Sequence, residues 1–90
     1  MRRDEDFFGE QELELIHISR KLREAKTVEA LLTELGIDYL VEPRTFRTTL
    51  LIVFPVDRIG AHFYVPIPEA PGSRKQLAAR GHTIIEVEPE

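Results

Sequence analysis

No stretch limits the folding of this chain more than Thr48 to Val56, TTLLIVFPV, its longest apolar run. Leu50, Ile52 and Phe54 alternate onto one face of an extended segment, with Leu51, Val53 and Val56 around the other. A run rich in β-branched and aromatic residues, apolar on both faces, reads as a buried central strand. Asp57-Arg58-Ile59-Gly60 follows with turn-forming residues, and Ala61 to Ile67 is again β-rich, so a hairpin is expected with its turn at 57–60.

Upstream, Glu12 to Ser19 alternates and then turns apolar, which predicts a first strand. From Leu22 the period changes. Leu22, Ala25, Val28, Leu31, Leu32 and Leu35 recur at threes and fours while Arg23, Glu24, Lys26, Glu29 and Glu34 take the other side, as in an amphipathic helix. Ser19 is a candidate N-cap, and Gly36 is placed to end the helix with Ile37 reaching back to Leu32. Ile37, Tyr39 and Val41 then mark a second strand, closed by Pro43. Pro66, Pro68, Pro71 and Gly72 argue against regular structure, after which Ser73 caps a short helix to Arg80, stopped by Gly81. His82 to Glu88 forms the last strand.

Helix, glycine, strand and proline thus occur twice, ending Val41-Glu42-Pro43 and Val87-Glu88-Pro89. Two strand-helix-strand units joined by a hairpin predict an α+β fold of the ferredoxin-like, split βαβ kind. Its sheet would have four or five mainly antiparallel strands, with two helices on one face. Residues 1–10, mixed in charge and carrying Phe7 and Phe8, read as a flexible N-terminal segment, and residues 11–90 as one domain.

Little chemistry is written in the chain. Its hydrophobic fraction of 42% is enough for a folded core, while a net charge of −4 lacks the basic field that nucleic acid or anionic lipid recruits. With no cysteine, thiolate metal sites and thiol catalysis are excluded. His17, His62 and His82 have no metal-ligand spacing, and neither serine lies in a nucleophile turn, so no catalytic residue, metal or cofactor is expected. Arg58, Gly60, Ala61 and Phe63 match an RNA-recognition signature at too few positions to support RNA binding. A start of Met1-Arg2-Arg3-Asp4 without an apolar stretch behind it, and no run of membrane-spanning length, leave a cytoplasmic protein with no membrane partner as the expectation.

Two surfaces are candidates. Arg44, Arg47 and Arg58 flank the apolar run and could hold a carboxylate or phosphate by forked hydrogen bonds, against the plainer reading that they solvate loops. If Tyr39, Ile52 and Phe63 face the helices, then Leu40, Leu51, Val53 and Tyr64 form an outer apolar set, the mark of a homodimer or a partner-binding face.

The segment Arg23 to Val41, REAKTVEALLTELGIDYLV, resembles the opening of a family of small prokaryotic signal-transducing proteins, and Phe63-Tyr64-Val65-Pro66 is similar to that family's later strand. The longer apolar run and the proline-rich link depart from its pattern. This resemblance implies a ferredoxin-like fold and a regulatory role, and brings no catalytic residues. A non-enzymatic regulatory or interaction domain is therefore expected, with a small-ligand sensor of the ACT or PII kind as the alternative and a small enzyme third.

Overall fold

The computed structural model describes residues 1–50 and 54–86, with the backbone alone for residues 45–50 and 54–58. Its elements are α1 (Glu5–Phe8), β1 (Leu13–Ser19), α2 (Leu22–Glu34), β2 (Leu40–Leu50), β3 (Phe54–Pro66), a 3₁₀ turn (Ile67–Glu69) and α3 (Ala70–Ala79). The three strands form one antiparallel sheet in the order β1-β3-β2. Because β1 and β2 both run against β3, they are parallel to each other, and α2 crosses from one to the other over a single face.

That face holds the core. Val28 and Leu32 of α2 and Leu77 of α3 meet Ile16 of β1 with Phe63 and Val65 of β3, all fully buried in one cluster. Each such side chain is worth about 2 kcal/mol once removed from water. The α2 stripe expected from the sequence supplies Ala25, Val28, Leu31 and Leu32 to this core, while Leu22 stays 72% exposed at the helix entrance. Ser19 does not cap α2. Lys21 holds the N-cap position, and Ser19 is still in β1.

Both helices end alike. Gly36 has φ 73° and Gly81 φ 82°, and the amides of Ile37 and His82 donate to the carbonyls of Leu32 and Leu77 at 3.0 Å. This is the Schellman closure, which needs a left-handed residue that glycine adopts without steric cost.

The apolar run is not one central strand. Thr48 pairs with Val56, Thr49 with Pro55 and Leu50 with Phe54, so its two ends lie opposite each other in the β2–β3 hairpin. The expected turn at 57–60 is likewise displaced: Asp57, Arg58, Ile59 and Gly60 all pair within β3. Pro43 fails to close β2 because that strand lies at the sheet edge, where a missing amide donor breaks no ladder. Pro68 and Pro71 sit at the starts of the 3₁₀ turn and of α3, where the amides have no helical partner in any case. Ser73 therefore lies inside α3, its hydroxyl donating to the Glu69 carbonyl at 2.7 Å.

Three described strands replace the four or five expected. Residues 82–86 of the anticipated last strand adopt no strand ladder; the remainder of it, 87–88, is outside the described residues. They still lie along β1, where the Ile85 amide donates to the Ile16 carbonyl at 2.8 Å. Arg74 of α3 fixes them there. Its guanidinium donates to the Ile85 carbonyl and the Glu14 carboxylate at 2.6 Å and to the Leu15 carbonyl at 2.9 Å. Residues 1–10, read from the sequence as a flexible end, carry α1 and the buried Phe8, and the Arg3 amide donates to the Tyr39 carbonyl at 2.8 Å. Among the described residues no helix is long and apolar enough to cross a membrane.

Two measurements follow from this framework. Arg74→Ala strands a half-buried carboxylate and two carbonyls, so urea denaturation should show a loss of about 3 kcal/mol, with Arg74→Lys recovering little because an ammonium cannot span the fork. Burial pushes the Tyr39 phenol above its ordinary value of 10.0, aided by its hydrogen bond to the Glu29 carboxylate. A raised folded value means that the neutral phenol's contribution is complete below about pH 10 and lost as the pH climbs through the folded value. Denaturation midpoints between about pH 9 and 11 should fall more steeply for the native chain than for Tyr39→Phe.

Candidate functional site

Paired residues in a ladder share a face, which divides the sheet's side chains cleanly. Val41 and Phe63, with His17, lie on the helix side; Leu40, Tyr64 and Leu15 lie opposite, followed by Glu42, His62 and Ile18. A bulge at Ile16 breaks the alternation in β1, which is how two consecutive residues, Ile16 and His17, both become fully buried. The face away from the helices therefore displays Leu13, Leu15, Ile18, Leu40 and Tyr64, all half-buried.

At one end of this open face is a cleft of about 280 Å³. Leu13, Leu40 and Tyr64 form its floor, Phe8 and Gly9 close one side, and Glu5, Glu42 and Arg44 bring charge to it. Arg44 donates from Nε to the Glu42 carboxylate at 2.6 Å, and its guanidinium lies 5.9 Å from the Tyr64 ring centre. The hydrogen bond to Glu42 raises the Arg44 pKa above its ordinary value, and the guanidinium stays charged. With two carboxylates and one guanidinium, the cleft carries a net negative charge over an apolar floor.

Two residues expected in the outer set, Leu40 and Tyr64, thus meet here, and so does Arg44. Leu51 and Val53 lie outside the described residues. The three arginines do not share one site: Arg58 pairs with Phe46 on the same face of the ladder as Arg44, whereas Arg47 pairs with Asp57 on the opposite face.

A buried polar group on the helix side was not anticipated as a unit. His17 Nδ1 donates to the Thr83 carbonyl at 2.6 Å, while Nε2 lies 2.8 Å from Ser19 Oγ and 3.1 Å from Glu24 Oε1. A serine beside a histidine is the pairing that activates a nucleophile. Here Nε2 also faces a carboxylate, and Ser19 is only 2% exposed, so neither a free base nor a reachable hydroxyl results. The arrangement instead ties β1, α2 and residues 82–86 together. His17 and Ser19 are two apart on a strand, a spacing that marks one face and was the available signal; Thr83 comes from distant sequence and left none. Among the described residues no three of His, Asp or Glu cluster as metal ligands.

Compared with known proteins, the chain matches no family model, no curated protein and no solved structure.

If His17 is a structural tie, His17→Phe should cost about 2–3 kcal/mol by leaving the Thr83 carbonyl and Ser19 hydroxyl without their partner. Limited proteolysis should then cut beyond Gly81 faster than in the native chain.

Proposed function

We propose that this protein is a non-enzymatic regulatory or protein-interaction domain of ferredoxin-like type, acting in the cytoplasm through its open sheet face. The observation carrying the reading is the one-sided cover: α2 and α3 share a single core, and Leu13, Leu15, Ile18, Leu40 and Tyr64 form an apolar surface behind it. Such a surface favours association. Support for the ferredoxin-like assignment comes from the parallel β1 and β2 separated by β3, and from residues 82–86 along the outer edge of β1, the place of a fourth strand. The resemblance of Arg23 to Val41 to small signal-transducing proteins fits the same reading.

A sensor of the ACT or PII kind is the second reading, favoured by Arg44 at the mouth of the cleft. The presence of Glu5 and Glu42 in the same cleft weighs against an anionic ligand.

A photo-crosslinking residue at position 40, compared with one at the exposed Lys26 on α2, tests the reading in the cells that make the protein. Covalent adducts formed from position 40 and not from position 26 are expected. No adduct from either, or equal adducts from both, would remove the open face as the working surface.

A further inference from the structure

The polar group on the helix side has an unbalanced proton count. His17 is fully buried, and acceptors face both of its ring nitrogens. A carbonyl can only accept, so Nδ1 keeps its hydrogen toward Thr83, at 2.6 Å, in every protonation state that preserves this contact. In a neutral ring Nε2 is then a lone pair. It can accept from the Ser19 hydroxyl at 2.8 Å, but it also lies 3.1 Å from Glu24 Oε1, where lone pairs would face each other. A second proton removes the conflict, because Nε2 then donates to the carboxylate.

The charged and titratable groups around the ring come from several elements. Glu24 of α2 supplies the opposite charge. His82, following α3, packs its ring T-shaped at 5.9 Å, so the two rings compete for one charge and the carboxylate stands at His17. β3 offers the apolar ring of Phe63 at 5.7 Å. Arg74 of α3 and Glu14 of β1 are already paired with each other.

We propose that His17 is a proton-operated latch: the doubly protonated ring fastens the first turn of α2 to residues 82–86 across β1, and loss of the second proton loosens both. The latch is separate from the open face, whose working does not depend on it. The fastened form binds one proton more than the loosened form, so acid closes the latch and a rising pH opens it, over the interval in which an imidazole titrates, about pH 5 to 8. On opening, the Glu24 side chain, 38% exposed, turns to water. The Thr83 carbonyl is left with a neutral donor, about half as strong as a charged one.

The latch guards the outer edge of β1. Residues 82–86 form no ladder with that edge, and among the described residues one backbone hydrogen bond joins them, from the Ile85 amide to the Ile16 carbonyl at 2.8 Å. A strand edge so lightly covered becomes open to another strand when its cover lifts.

Hydrogen exchange and histidine NMR on the full chain test this between about pH 5.5 and 8, above the range in which carboxylates ordinarily titrate. With intrinsic exchange rates divided out, protection of the Ile85 amide should fall about fivefold as the pH rises, the difference between a charged and a neutral donor to Thr83. The His17 ring should lose its Nε2 hydrogen over the same interval. Glu24→Gln distinguishes a latch from a plain structural tie. Its amide can donate to the neutral ring, as a carboxylate cannot, so His17 should give up the second proton at lower pH and Ile85 protection should become flat with pH. His82→Gln should keep the step, since the proton sits on the other ring. The same spectra report whether each variant keeps its fold. A native His17 ring with one N–H throughout, Ile85 protection that does not change with pH, a step that survives Glu24→Gln, or a step that vanishes with His82→Gln overturns the inference.

Discussion

The structure depends on β3 being paired along both edges over residues 61–64 and along β1 as far as Pro66. That short stretch places Phe63 and Val65 under the helices and Tyr64 on the other side, so one strand sets the depth of the core and the composition of the open face. A register slip of one residue would exchange the two sets, exposing two fully buried apolar side chains and driving a phenol into the core. Val41 opposite Phe63 and His17 beyond it hold that register from both neighbours. Helices α2 and α3 cover only the side that carries Ile16, Phe63 and Val65. Everything said of the open face follows from this division.

How much could be read from residue order depends on how local each determinant is. The two glycine closures were legible because one residue type, one backbone conformation and one hydrogen bond within six residues decide them, as Gly36 and Gly81 both do. α2 was legible for a similar reason, having a clear hydrophobic period over at least two turns, and β1 through the short alternation from Glu12 to Leu15, although the bulge at Ile16 breaks that period. The hairpin was not. Leu50 pairs with Phe54, yet the intervening sequence, Leu-Ile-Val, contains none of the residues that flag a reversal, while Asp57 and Gly60, which do, lie within the ladder. Prolines misled in the same direction, since their effect depends on whether a position lies at an edge or in a first turn, and neither fact is local.

The candidate site divides along the same line. Leu40 and Tyr64 follow from strand alternation, and the sequence placed both in the outer set. The meeting of Arg44 with them depends on β2 continuing past Pro43, which only the edge position of that strand permits. Of the tie at His17 only the contact with Ser19 was local; the bonds from His17 to Thr83 and from Arg74 to Glu14 cross 66 and 60 positions and were out of reach. Long-range polar contacts leave no period in the chain that makes them.

The body of the sheet also guards its edges, and this bears on which surface is available for association. An open strand edge invites pairing with any other chain. The outer edge of β1 is met by residues 82–86, and the start of β2 by the N-terminal residues, through bonds from Ile85 to Ile16 and between Arg3 and Tyr39. Farther along β2, Pro43 removes an amide donor, and the exposed Arg44 brings charge to the edge. On β3, Pro55 does the same where β1 no longer reaches. Edge-to-edge growth is therefore opposed along the described edges of the β2–β3 hairpin, whereas the face away from the helices is not protected in this way.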